Sequence, residues 1–306
     1  MGDKIALIGI DWGTTNRRAW AFASDGRILD ERSDGEGLLS VPKDGFPRSF
    51  AQMTIRWRDE KETIPVLMCG MVGSKLGWIE APYLRLPVDL EELANGLCEV
   101  PDAHAVWIVP GVCDEQGKEP DVMRGEESQI LGALLENDIA DATFVLPGTH
   151  SKWAIVEGHG LVRFRTYMTG EIFNLLRGSG TIAQLMESGD HQPDVFNQGV
   201  VRSLGRDSDL LHTLFGVRTF ALFDRLPRQS LASYLSGLLI GAELADAVRW
   251  AGRERRVIAV GSPQLLAYYA AAASHLGVKL DIVESSIVLP AAFLAIARRA
   301  ALIPKV

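Results

Sequence analysis

Two stretches of this chain repeat one another, and few folds accommodate such a pair. The first is Ile8-Gly9-Ile10-Asp11-Trp12-Gly13-Thr14-Thr15-Asn16-Arg17-Arg18-Ala19-Trp20, followed by the hairpin signal Asp25-Gly26. The second is Phe144-Val145-Leu146-Pro147-Gly148-Thr149-His150-Ser151-Lys152-Trp153-Ala154, followed by Gly158-His159-Gly160. Both read strand, small polar turn, strand, glycine turn, strand. Two unrelated hairpins would explain either copy alone. The shared Gly-Thr, then a basic residue and a Trp-bearing strand, favour duplication. Each copy opens its half of the 306 residues, a length comfortable for two domains. The expectation is therefore two homologous lobes, residues 1–141 and 142–306, with the active site between them. The last helix packing back on the N-terminal lobe is a variant of that division.

The rest of the pattern is α/β. Short apolar runs at 5–10, 64–68, 105–109, 143–146 and 257–260 read as buried strands. Helical spacing marks 126–136, 231–250 and a helix from residue 285 or 286 to 298, with Pro290 near its first turn. Three cysteines, Cys69, Cys98 and Cys113, fit neither a metal-site spacing nor a disulfide framework, and Cys69 reads as a buried reduced thiol. That points to a reducing cytoplasm. The start Met1-Gly2-Asp3-Lys4 leads into too short an apolar run for a secretory signal, and no apolar run is expected to reach membrane-spanning length. A net charge of −8 disfavours nucleic acid as a partner. The runs Arg253-Glu254-Arg255-Arg256 and Arg298-Arg299 read as solvated faces or helix ends.

A Gly-Thr turn between strands presents backbone N–H groups and hydroxyls in one concave patch, suited to phosphate oxygens. Asp11, just before the first turn, would repel bare phosphate. It makes sense beside a cation such as hydrated Mg²⁺, or else as an ordinary turn-forming aspartate.

At this level the chain resembles the actin, hexokinase and heat-shock-chaperone ATPase superfamily. Asp11-Trp12-Gly13-Thr14-Thr15 is similar to its first phosphate motif, Leu146 to Ser151 to the second, and Val260-Gly261-Ser262-Pro263 to its adenosine motif. Within that group the chain resembles the bacterial 2-dehydro-3-deoxygalactonate kinase family. The segments that carry this are Asp11 to Asn16 with Arg18-Ala19-Trp20; Cys69 to Ser74 with Gly77-Trp78 and Glu80 to Tyr83; Met123 to Glu127; Pro147 to Trp153; and Tyr167 to Glu171. The resemblance implies two ribonuclease H-like lobes. It also implies transfer of the γ-phosphoryl of ATP, with Mg²⁺, to the 6-hydroxyl of a six-carbon 2-keto-3-deoxy acid in galactonate or galactose breakdown.

It further implies roles for individual residues. Asp11 holds the metal through water. Gly13, Thr14, Thr15, Gly148, Thr149, Gly261 and Ser262 face the nucleotide, and the Gly178-Ser179-Gly180 turn lies against it. Related kinases place an acid at the head of a helix before the second phosphate motif. Here the candidates are Glu126, preferred, and Glu127, where the superfamily usually has aspartate. One of the two would merely complement the helix N-terminus. An acidic protein that binds a carboxylate substrate needs local cations, and Arg18, Lys75, Arg124 and Lys152 lie in or beside the matched segments. Lys152 could equally face the γ-phosphate. Ser74 and Thr169 could hydrogen-bond hydroxyls or the keto group beside Gly73, and Trp78 could form an apolar wall.

Residues 178–183 also fit a loose dinucleotide pattern, but a helix rather than a strand precedes them. No Gly-x-x-x-x-Gly-Lys-Ser/Thr run is present, so a P-loop kinase is excluded. The histidines other than His150 read as surface or core residues. Two competing readings are a kinase of another sugar or sugar acid, such as 2-keto-3-deoxygluconate, and a non-catalytic nucleotide-binding regulator. The first strand begins near the fifth residue, so no N-terminal DNA-binding domain is expected. The expected partners are a sugar acid and ATP, with neither nucleic acid nor membrane; a homodimer is left open.

Overall fold

The apolar run after Lys4 becomes β1 (Ile5–Trp12), whose middle residues are buried on both faces, as a central strand requires. The computed structural model describes residues 4–58, 63–101, 103–205, 209–253 and 255–304. Residues 1–3 of the leader reading and Glu254 of the basic run lie outside these. The chain forms two compact units, one of residues 1–141, 156–164 and 285–306, the other of residues 142–155 and 165–284. The sequence-based division at 141/142 therefore differs at the hairpin tip 156–164, which groups with the first unit; the C-terminal helix also groups there, the variant that the sequence reading allowed.

In the first unit β1 pairs antiparallel with β2 (Arg17–Ala23), and β2 with β3 (Ile28–Asp34). After helix α1 (Phe46–Thr54), β4 (Val66–Cys69) lies parallel to β1. A small sheet follows from β5 (Tyr83–Arg85), then helix α2 (Leu90–Asn95), which opens with an Asp89–Glu92 capping box. The edge strand β6 (Cys98–Glu99) and β7 (Val106–Ile108) complete the main sheet, in the order β3-β2-β1-β4-β7-β6. Strands β8 (Gly111–Asp114) and β9 (Asp121–Met123) complete the small one, in the order β5-β8-β9, before helix α3 (Glu126–Asn137).

Arg17 is a buried tie in this unit. Its guanidinium donates to Asp34, to Glu36 and to both oxygens of Ser49, and sits 4.8 Å over the Trp12 ring. These bonds tie the hairpin that carries the first turn to its neighbouring strand and to α1.

In the second unit β10 (Ala142–Leu146), β11 (Ser151–Glu157) and β12 (Gly160–Tyr167) form the meander. The tip of this meander belongs to the first unit, where Leu161 bridges Val88. Helices α4 (Thr169–Gly178), α5 (Gly180–Ala183), α6 (Pro193–Leu204), α7 (Leu210–Leu222) and α8 (Leu231–Ala251) come next. Then follow β13 (Val257–Gly261), α9 (Pro263–Ser274) and β14 (Leu280–Glu284). The order β12-β11-β10-β13-β14 repeats β3-β2-β1-β4-β7 of the first sheet, as duplication requires.

The last helix, α10 (Ser285–Arg299), packs on α3 and β1. Its approach needs glycines beneath it. A Cβ on Gly132 would lie 1.9 Å from the Val288 carbonyl oxygen, and one on Gly9 would lie 2.5 Å from the Phe293 ring. The segment Arg228–Ala251 is long and apolar enough to cross a bilayer, contrary to the expectation that no run reaches that length. It is 72% buried inside the protein, because the apolar residues of α8 form the core of the second unit.

Candidate active site

In the first unit, the turn after β1 is stitched from behind. The carbonyls of Gly13, Thr14 and Thr15 accept from the backbone N–H groups of Leu38, Leu39 and Gly37. Thr14 and Thr15 are exposed. Asp11 lies across the hairpin from Arg18, whose guanidinium is also 3.7 Å from Glu31. Burial pushes the Asp11 carboxyl up to about 6; Arg18 and a long contact from the Cys69 thiol oppose this, and the charge of Glu126 adds to it.

Two left-handed glycines bring these acids together. Gly70 has φ +91° and Gly125 has φ +105°, conformations that a Cβ would strain. A Cβ on Gly125 would lie 3.1 Å from the Gly70 Cα, and one on Gly70 would lie 3.2 Å from Asp11 Oδ1. The two turns are in contact, which sets the head of α3 beside the end of β1.

The two glutamates at that head differ. Glu126 accepts the Arg124 N–H (3.0 Å) and remains half-exposed, facing the field of Asp11. Glu127 is buried. Its Oε2 accepts the Gly125 N–H at 2.6 Å and its Oε1 the Ser128 hydroxyl at 3.1 Å. Burial, then repulsion from Glu126, pushes the Glu127 carboxyl up to about 7. Both carboxylates thus complement the α3 N-terminus, and Glu126 is the one with an accessible side.

Behind them Arg124 is 8% exposed. Its Nη2 donates to the Ala81 carbonyl (2.7 Å) and its guanidinium lies 4.3 Å over the Tyr83 ring. Among the described residues, its Nε and Nη1 and the nearby buried Ser74 hydroxyl have no hydrogen-bond partner. Gly73 lets this corner pack closely, since a Cβ there would lie 2.8 Å from the Ile108 side chain and 3.0 Å from Nη1. Burying unpaired donors is costly unless a ligand completes them. Trp78 packs on Phe50 (5.3 Å) among the core residues of this unit.

The all-oxygen pair Asp11 and Glu126 fits a hard divalent cation, which would relieve their repulsion. Among the described residues no group of three or more His, Cys, Asp or Glu forms a protein-only cage.

In the second unit, the Gly148 turn is clasped by the start of α4. The Glu171 N–H donates to the Thr149 carbonyl, and a Cβ on Gly170 would lie 2.3 Å from the Gly148 carbonyl oxygen. His150 Nε2 meets Glu171 Oε2 at 2.5 Å. Lys152 is buried on β11 and donates to Thr166. Thr169 donates to Glu243, so its proton is committed inside the protein.

Glu243 of α8, 3% exposed, accepts four hydrogen bonds. Ser151 Oγ (2.7 Å) and Trp153 Nε1 (2.8 Å) reach Oε1; Thr169 Oγ1 (2.5 Å) and Tyr269 OH (2.6 Å) reach Oε2. Burial pushes its carboxyl up and these donors pull against that.

A cavity of about 380 Å³ opens beside this cluster, a size typical of small-molecule sites. Gly148 and Gly170 line one part; Gln264 and Tyr268, just past the Gly261-Ser262-Pro263 turn, line another. His191 stacks on Tyr268 with centroids 4.2 Å apart. Gly178 ends α4, next to the lining residue Arg177, and Ser262 is the N-cap of α9.

Glu243 and the His191–Tyr268 pair were missed by sequence reasoning. The one available signal for Glu243 is that it is the first acid in the long apolar stretch from Leu231.

Two α/β units with one strand order, each opening on a strand and a glycine turn, define an actin-type ATPase and sugar-kinase fold. Component A of the (R)-2-hydroxyglutaryl-CoA dehydratase of Acidaminococcus fermentans shares that fold, with TM-score 0.56 and 14% identity over 97% of this chain and 100% of its own. More narrowly, the chain belongs to the 2-keto-3-deoxy-galactonokinase family, which matches residues 11–296. The 2-dehydro-3-deoxygalactonokinase of Escherichia coli strain K12 is 35% identical over 294 residues, 96% of this chain and 98% of its own. A crystal structure from Sinorhizobium meliloti, assigned as a 2-dehydro-3-deoxygalactonokinase, is similar with TM-score 0.89 and 31% identity over 95% of this chain and 98% of that one.

Proposed function

We propose that this chain transfers the γ-phosphoryl of ATP to the 6-hydroxyl of 2-dehydro-3-deoxy-D-galactonate, giving the 6-phosphate and ADP, in galactonate and galactose breakdown. The observation that carries the reading is the placement of Glu126 beside Asp11 at the first glycine turn. A group that accepts the hydroxyl proton then lies next to a group suited to a metal-bound phosphate chain.

The acceptor oxygen forms its bond to the γ-phosphorus as the bond from that phosphorus to the ADP oxygen breaks. The hydroxyl proton passes to the Glu126 carboxylate. In the first unit Thr14 and Thr15 offer hydroxyl donors to phosphate oxygens, with Gly13 leaving the turn free of a side chain; in the second unit Gly148 and Thr149 belong to the turn assigned the same role. Asp11 would hold Mg²⁺ through water, and the ion would supply charge neutralisation for the phosphate oxygens. Gly178, Gly261 and Ser262 belong to the turns assigned to the nucleoside end. The unpaired donors of Arg124, with Ser74 and the backbone at Gly73, suit the acceptor's carboxylate and keto oxygens, and Arg18 adds positive charge near Asp11. Cys69, Cys98 and Cys113 are all free thiols, which supports a reducing cytoplasm as the compartment.

An ATP-coupled assay across hexoses, aldonates and 2-keto-3-deoxy acids tests the reading. The galactonate-series keto acid should have the highest kcat/KM. A neutral hexose as best acceptor would refute the substrate, and 2-keto-3-deoxygluconate as best would reassign the stereochemistry.

A further inference from the structure

Glu243 touches neither glycine turn, yet the residues it holds flank one of them on both sides. Ser151 and Trp153 follow the Gly148 turn on β11, and both donate to Oε1. Thr169 precedes Gly170 and Glu171, the two α4 residues that press on Gly148 and bond Thr149. Thr169 donates to Oε2, together with Tyr269 from α9. One carboxylate on α8 therefore joins the strand that leaves the turn to the helix that clasps it. An ionised carboxylate is suited to this, since it only accepts and offers about four lone-pair sites. Held inside the protein, such a network is rigid.

We infer that Glu243 is the positioning residue of the second phosphate turn: it holds Gly148 and Thr149 in their ATP-binding geometry by tying together the two segments that flank them. This rests on the reading of that turn as a phosphate site. Misplacing a binding group by about an ångström can cost on the order of 10²-fold in rate, so such a residue governs ATP use without touching ATP.

The side-chain chemistry predicts which substitutions matter. In Glu243→Gln the amide oxygen must face Ser151 and Trp153, because an indole N–H cannot accept. The amide NH₂ then faces Thr169 and Tyr269, whose hydroxyls can turn to accept. All four links survive, two of them reversed. In Glu243→Leu all four are lost at similar volume.

The test is steady-state kinetics with each substrate varied in turn, on full-length variants whose folding is checked by thermal melting. Glu243→Gln should keep a near-wild-type KM for ATP. Glu243→Leu should raise it on the order of 10-fold or more while leaving the KM for the keto acid unchanged. Ser151→Ala provides a second route if the leucine variant does not fold. Ser151 is fully buried and bonded to Glu243, so a raised KM for ATP there reports displacement of the turn.

Gly148→Ala separates this inference from the reading beneath it. A Cβ there would meet no atom closer than 3.8 Å, so the variant fits the fold and intrudes only on a ligand. If it leaves the KM for ATP unchanged, the turn is not a phosphate site and both ideas fall. If it raises that KM while folded Glu243→Leu, or Ser151→Ala in its place, does not, the positioning role alone is overturned. A lower melting temperature with an unchanged KM for ATP would likewise reduce Glu243 to a structural residue.

Discussion

Asp11 and Glu126 are brought within each other's electrostatic field by the contact of two left-handed glycines, Gly70 and Gly125. Burial first, and then the charge of Glu126, hold the Asp11 carboxyl up near 6, with Arg18 pulling the other way. Two acids in one field are expensive unless a cation or a proton is shared there. The head of α3 thus sets an exposed-side carboxylate, Glu126, beside Asp11 at the first glycine turn.

Glu126→Gln should therefore lower kcat by roughly 10²-fold or more, the loss expected when a general base is removed. Glu127→Gln, whose carboxylate is closed off against Gly125 and Ser128, should have a much smaller effect. Single-turnover assays on both variants decide this. Equal activity for Glu126→Gln and wild type would remove Glu126 from the mechanism.

Glu127 predicts a pH effect on stability. Its folded-state pKa, about 7, lies above its ordinary 4.5. Between those values the native protein binds the extra proton, so stability falls as pH rises through that window. Above pH 7 the full cost applies, up to about 3 kcal/mol. Glu127→Gln removes it, so the variant should be more stable than wild type at pH 8 and lose that advantage near pH 4.5. Urea unfolding at the two pH values measures the difference.

Removing Mg²⁺ with a chelator should abolish turnover, and adding it back should restore activity. Asp11→Asn keeps the shape but not the charge, so it should raise the Mg²⁺ concentration needed for half-maximal rate by about 10-fold or more. An unchanged Mg²⁺ titration in this variant would exclude Asp11 as the residue that holds the ion.

Arg124→Lys keeps the charge and loses the planar fork. Its expected effect is a rise of about 10-fold in the KM for the keto acid, with the KM for ATP unchanged. Equal increases for both substrates would instead mean that Arg124 only supports the fold near Ala81 and Tyr83.

The central strands, the two repeated hairpins and both glycine turns were legible because they depend on local rules, whereas β5, β6, β8, β9 and β14 carry no such apolar run and were not read. Apolar runs and Gly-Thr steps give the backbone few choices, and the duplicated pattern is written in adjacent residues. Helices α3, α8 and α10 matched their spacing closely, since helical period is likewise local. Adjacent glutamates look alike in sequence, however, and only the packing around α3 buried one and left the other half-exposed.

The sequence by itself determined the repeated turn after Asp11, the family, and the short list of acids from which a base would be drawn. Only the tertiary structure decided that Gly9 and Gly132 let α10 close on β1 and α3, that Arg124 keeps unpaired donors beside Ser74, and that Glu243 collects four donors from β11, α4 and α9. The physical reason is the same in each case. Burial and hydrogen-bond partnership belong to groups brought together from distant parts of the chain, and no local pattern records who those neighbours will be.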